Sequence, residues 1–352
     1  MKAYINGIGS ISPQKINFDG SDENEILKST ENSLKCIEPD YKNYISPALI
    51  RRMGRLIKMG VSSASLALQD AGITMPDAII TGTGLGCIED TEKFLSAIVE
   101  NKEQYLTPTS FIQSTHNTVG GQIALMLKCH NYNFTYVHRA FSFESCLVDA
   151  GMLLNENPTS KILVGGLDET TNISLKLLER LGFISQEKIL NTELLKKNSR
   201  GALWGEGSNF FVLSNSIAEN SYAQILDCKM IYNPQNKEDI NKAILSFLEK
   251  NKLSVNEIDL LMCGYSGDKN YDIQYDAVAT TFSKSSIGYF KHLCGEYHTA
   301  SAFALSMSSN IIRNKKIADS LLLANRQRKP EMVLIYNQHR MLHHSLVLLK
   351  KC

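Results

Sequence analysis

The residues with chemistry to offer fall in a few short stretches. Ala140-Phe141-Ser142-Phe143-Glu144-Ser145 is a polar run opening onto a helical pattern. Ser142 is of a type that an imidazole activates as a nucleophile, with His298 as the base. The same hydroxyl at a helix start caps free backbone N–H groups, and both readings stand at this level. Cys263, beside a glycine turn, reads either as a displaced nucleophile or as a buried, inert thiol at a strand end. Cys294, just before Gly295, has the same two readings. Lys291 and Glu296 lie close together at the mouth of a helical pattern. They imply an ion pair, which would take proton transfer away from the carboxylate. His339, His343 and His344 lack supporting carboxylates and read as core or surface histidines rather than metal ligands. In Thr81-Gly82-Thr83-Gly84-Leu85-Gly86 the glycines are too close for a dinucleotide loop, and no Walker lysine follows.

Something must hold these groups in place, and the apolar pattern suggests what. Short apolar runs at 78–81, 162–164, 210–213, 260–263, 332–336 and 345–349 read as buried strands. Helical spacing runs through 55–71, 119–127, 146–154, 242–250 and 299–312. Alternation of this kind predicts a helix-covered, largely parallel α/β sheet. The order strand, helix, strand with a glycine turn, helix, strand, strand occurs twice, starting at residue 3 and again at 223. The period is far longer than the roughly 20–50 residues of a solenoid. Two similar layered halves, residues 1–215 and 216–352, packed as one compact unit are therefore expected. The polar, Lys-rich stretch 181–200 reads as a surface excursion, and 19–43 as a loop or mobile flap.

The 352 residues are 43% hydrophobic and 21% charged, with a net charge of +1. That balance excludes wholesale disorder and, lacking a concentrated basic face, an electrostatic nucleic-acid binder. No apolar run approaches the roughly 20 residues that span a bilayer. The N-terminal stretch has no basic-then-apolar leader. The eight cysteines are scattered without a C-x-x-C pair, so neither a zinc cage nor a disulfide framework is expected. Reduced thiols, a cytoplasmic location, and no cofactor or metal follow as expectations.

Several segments, in order, resemble the β-ketoacyl synthase family of condensing enzymes with the thiolase fold. Ile5-Asn6-Gly7-Ile8-Gly9-Ser10-Ile11-Ser12-Pro13 resembles the opening strand and turn. The stretch 63–73 is similar to the first amphipathic helix, and 81–86 to the second strand and glycine loop. The stretch 107–124 resembles the segment before the nucleophile strand. Val164-Gly165-Gly166-Leu167-Asp168-Glu169 and Ala202-Leu203-Trp204-Gly205-Glu206-Gly207 resemble the signatures that follow. Lys291 and Gly295 match part of a Lys-x-x-x-Gly-His motif. The resemblance implies a thiolase-like α-β-α-β-α architecture and a catalytic set built on a helix-start cysteine, two histidines and a backbone oxyanion hole.

Against that set the sequence departs at every part. Ungapped alignment puts Ala140 in the nucleophile slot, with Cys146 deeper on the following helix. Cys263 stands where the first histidine belongs, and Glu296 where the second does. Asn337-Gln338-His339-Arg340-Met341-Leu342 replaces the glycine-rich oxyanion loop, and only Lys291 is retained. Losing a covalent nucleophile alone costs about 10⁴–10⁶ in rate, and a positioned acid–base group about 10²–10⁴. The resemblance thus implies a chain-length-factor-type partner of an active ketosynthase, in fatty acid, polyketide or aryl polyene or flexirubin-type synthesis. It would pair through 107–121 and 134–138, as a heterodimer or with itself, and meet an acyl carrier protein. Phe141 and Phe143 would set cavity depth near the dimer surface. The alternative is a rewired acyl hydrolase or acyltransferase using Ser142 or Cys263 with His298.

Overall fold

The computed structural model describes residues 2–15, 26–196, 200–326 and 328–352. The part of the expected flap at 19–25 lies outside them. Among the described residues eleven strands are formed: β1 (Ala3–Ile11), β2 (Ala78–Gly82), β3 (Tyr132–Tyr136), β4 (Lys161–Asp168), β5 (Gly207–Ser214), β6 (Gln224–Tyr232), β7 (Leu260–Cys263), β8 (Ser286–Tyr289), β9 (Leu322–Ala324), β10 (Met332–His339) and β11 (His343–Lys350). Their spatial order is β3-β2-β4-β5-β1-β6-β11-β10-β7-β8-β9.

This order repeats. In the first half the third, second, fourth, fifth and first strands lie side by side. In the second half β8, β7, β10, β11 and β6 occupy the same places, with β9 added at the edge. The directions match as well: β2 is parallel to β3 and β4, just as β7 is parallel to β8 and β10. The halves join where Ala3 and Tyr4 pair with Ile225 and Gln224.

Alternation along the strands builds the layers, because successive side chains point to opposite faces. Ile80, Val164, Ile335 and Val347 face inward, onto two buried helices (Ser142–Glu156 and Ala300–Asn314). Ile79, Leu163 and Val212 face the helices Arg55–Asp70 and Thr118–Leu127. Leu261, Leu334 and Leu346 face Lys237–Lys250 and Lys269–Thr281. The result is the α-β-α-β-α order of a thiolase-like fold.

Two stretches are held more firmly than their polarity suggests. Within 181–200, Asn191 is buried and donates to the carbonyl of His292, and Leu194 packs with Leu34 and Leu203. Within 26–43, Leu34 N–H bonds the Trp204 carbonyl and Ile37 N–H the Ser12 carbonyl. Close backbone contact fixes β1 as well. A Cβ on Gly9 would fall 1.9 Å from the carbonyl oxygen of Ser63 in the first long helix. Gly9→Ala is therefore expected to destabilise by about 1–3 kcal/mol or more through overpacking, read as a lower midpoint in urea unfolding.

Candidate functional site

The chain leaves β3, passes His138 and Arg139, makes a 3-10 turn (Arg139–Phe141) and enters the first buried helix at Ser142. Ala140 sits buried in that turn with only a methyl group to offer. The Ser142 hydroxyl accepts the His138 N–H at 2.8 Å. Its single proton lies within reach of the Arg139 carbonyl, at 2.7 Å, and the Thr83 carbonyl, at 2.8 Å. Ser142 is thus fully buried and committed to the backbone. Cys146, a turn deeper, points at the Ser142 carbonyl at 3.1 Å, and burial pushes its thiol well above the ordinary range. Phe141 packs edge-on against His343 at 4.7 Å. Phe143 is the other residue expected to set cavity depth near the dimer surface. It is wholly buried, tilted against Phe211 at 5.6 Å, because the helix turns it toward the central layer.

In the second half a short helix (Lys291–Cys294) follows β8. Lys291 is fully buried; its Nζ lies 2.6 Å from Glu296 Oε2 and 3.2 Å from the Gln338 carbonyl. The other oxygen of Glu296 meets His339 Nδ1 at 3.3 Å. Burial alone would raise the Glu296 pKa, but the Lys291 charge and the His339 bond outweigh it and hold the carboxyl below its usual value. The expected ion pair is formed.

His298 does not join Ser142 or Cys263 in a hydrogen bond; its Nδ1 is buried without a partner. Its ring tilts against His339 at 4.9 Å, and burial pushes it down to about 3, a poor base near neutrality. The Gly84 position explains part of the glycine loop, since a Cβ there would fall 2.2 Å from the His298 ring. Cys263 lies in the outer core with Tyr265, Tyr275 and Tyr336, its thiol raised well above normal by burial. Cys294 is buried with Sγ 3.3 Å from the Gly295 carbonyl. His344 is fixed between the Tyr336 hydroxyl and the Met341 carbonyl. Among the described residues no group of three or more His, Cys, Asp or Glu is arranged to hold a metal ion.

Two carboxylates in the signature stretches prove to be structural hubs. Asp168 accepts from Gly84 N–H, the Thr83 hydroxyl, and both the N–H and hydroxyl of Thr299, tying the halves together. Glu206 takes two bonds from Arg55, at 2.9 and 2.6 Å, and the N–H groups of Cys36 and Thr170. Sequence reasoning also missed the closure of the site. Arg340 and Met341, in the β10–β11 turn, both have left-handed backbone, φ +55° and +57°, at about 1–2 kcal/mol for each non-glycine residue. The Arg340 guanidinium lies 3.7 Å from the centre of the Phe183 ring, a contact worth about 0.5–2 kcal/mol. Beneath it a cavity of about 10 Å³ remains, bordered by Trp204, Tyr271, Glu296 and His339; this is on the order of one water.

A second surface stands out. The helices Pro108–Ser114 and Asn172–Arg180 bury none of their residues, and Ile88–Glu100 buries only Asp90. Val99 is 78% exposed, Ile112 61%, Leu125 71% and Met152 58%. Leu125 and Met152 lie on the two helices packed against the edge strand β3, where Tyr132, Phe134 and Tyr136 form an aromatic ladder.

Breaking the buried pair gives a direct test. Glu296→Gln leaves the Lys291 charge unpaired and is expected to cost about 3–5 kcal/mol, most of it recovered in the double variant with Lys291→Met. The folded carboxyl lies below its usual 4.5, so its stabilisation is complete above that pH and is lost as pH falls through the lowered value. The gap between native protein and Glu296→Gln in unfolding free energy should close over that acid range.

Residues 29–173 match the family described as Beta-ketoacyl synthase, N-terminal domain. No curated protein matches the sequence. Among solved structures, the ishigamide ketosynthase/chain length factor superposes with a TM-score of 0.80 at 17% identity, over 100% of this chain and 99% of that one. A β-ketoacyl synthase from Burkholderia phymatum STM815 gives 0.81 at 16% identity with the same coverage. The ketosynthase ApeO in complex with its chain length factor ApeC, from Xenorhabdus doucetiae, gives 0.78 at 15% identity, over 99% of this chain and 98% of that one. Residues 29–173 thus match the model of the β-ketoacyl synthase N-terminal domain, and the whole chain has the thiolase-like fold of those solved structures.

Proposed function

We propose that the protein is a non-condensing ketosynthase-like subunit that pairs with an active β-ketoacyl synthase in the manner of a chain length factor. One observation carries this reading. At the turn that opens the first buried helix there is only the methyl of Ala140, and the nearby Ser142 hydroxyl is spent on backbone groups. A wall of a shared acyl cavity needs shape and apolar lining, and needs no nucleophile.

The exposed face supports a partner. Open strand edges present unpaired N–H and C=O groups and invite another chain, and apolar patches of this kind mark interaction sites. The edge of β3 with Met152 and Leu125 beside it fits a large, dry contact. Two of the similar structures are described as a ketosynthase with its chain length factor and as a type II acyl carrier protein with its ketosynthase. By analogy the partner here is an active ketosynthase, with an acyl carrier protein delivering the chain. Fatty acid, polyketide or aryl polyene and flexirubin-type synthesis are the settings in which such a pair works. Self-association through the same face is the competing assembly. The rewired hydrolase has no such support, since His298 bonds neither candidate nucleophile.

Co-expression with a ketosynthase encoded beside it tests the proposal. The two should co-purify in equal amounts, and product length should shift when this chain is left out. Met152→Glu, which places a charge on an exposed position, should weaken pairing at least about tenfold, as burying an unpaired charge does, with the melting temperature unchanged. Failure to co-purify, with products identical in the absence of this chain, would contradict the reading.

A further inference from the structure

We infer that Arg340 is a stopper, a contact by which the β10–β11 hairpin keeps the pocket at Glu296 closed. The two strands pair as far as His339 and His343, so the turn between them is tight. Both Arg340 and Met341 adopt the left-handed backbone that glycine or asparagine would take with little strain. Strain of this kind persists only where the surroundings over-determine it. Here the surroundings are visible. Met341 N–H donates to Gln338 Oε1 at 2.8 Å, the Met341 carbonyl meets His344 Nε2 at 3.0 Å, and Leu342 N–H bonds the His339 carbonyl at 3.2 Å.

What the strained turn achieves is the placing of one side chain. The guanidinium of Arg340 stacks on Phe183 at 3.7 Å, while its Nε is buried with no hydrogen-bond partner. A ring face alone therefore holds it, a reversible clasp compared with a two-bonded carboxylate pair. Under the clasp, Trp204, Tyr271, Glu296 and His339 border the space of about 10 Å³. With Arg340 swung out, the aromatic walls of Phe183, Trp204 and Tyr271 would stand open to solvent and to an apolar arm. The seal depends on the non-condensing reading for its purpose only. It is measured on this chain alone and pairing on the mixture, so either can fail without the other.

Trp204 is the sole tryptophan and is only 6% exposed, so its fluorescence reports the seal. Acrylamide quenching is measured on the full chain and on R340G, R340K, M341G and F183L. R340G and F183L should raise the quenching constant several-fold, with R340K between them and the native protein, because a lysine cannot stack as a plane. M341G relieves strain without touching the clasp; it should keep native quenching and melt higher. Native-like quenching in a folded R340G or, should that variant not fold, in F183L would overturn the inference. So would a rise in M341G as large as that in R340G.

Discussion

An ammonium group with no access to water survives only beside a counter-charge, and the centre of this protein is arranged around that need. Lys291 is wholly enclosed and Glu296 meets it at 2.6 Å. Gly295, with φ +76°, turns the chain so that the carboxylate faces back toward the lysine. Trp204 bridges to Glu296 from one side, while His339 takes its second oxygen from another. Through His339 the pair also anchors the turn that carries Arg340. A carboxylate pinned in this way is a clamp, poorly suited to passing a proton. Where the resemblance to condensing enzymes expects an imidazole, the chain has the Glu296 carboxylate paired with Lys291.

The same fold treats its two faces in opposite ways. Inside, Ser142, Cys146, Cys263 and Cys294 are all buried and held by carbonyls or apolar neighbours, and the space left near Glu296 is closed. Outside, three helices and the edge of β3 leave large apolar residues uncovered. A sealed interior and an unpartnered exterior suit a subunit whose contribution is a surface.

Much of this was legible before any coordinates. The helix Arg55–Asp70 shows its apolar face at helical spacing, and the repeated element order foretold the repeated strand order, because both are local patterns summed over length. The Lys291–Glu296 pair followed from charge and proximity in sequence. Other features are decided by distant partners. β8 is four residues, Ser-Ile-Gly-Tyr, too short to display a period and defined by its neighbour β7. The helix Asn172–Arg180 half-buries Leu175 and Leu178 against the small cluster around Trp204 but leaves Ile173 and Leu177 exposed, so its inward stripe is only two residues long. The direction of Phe143 depends on where the buried helix starts, directly after the 3-10 turn. Arg340-Met341 carries none of the glycine or asparagine that marks such a turn, so the clasp on Phe183 had no sequence signal.

The central claim is that nothing in this chain captures an acyl group. Intact-mass spectrometry of the purified protein after incubation with an acyl-carrier-protein thioester tests it directly. The account predicts an unchanged mass for this chain, with the acyl group retained by the carrier. A stable adduct of acyl mass, mapped to Ser142, Cys263 or any other residue, would contradict it.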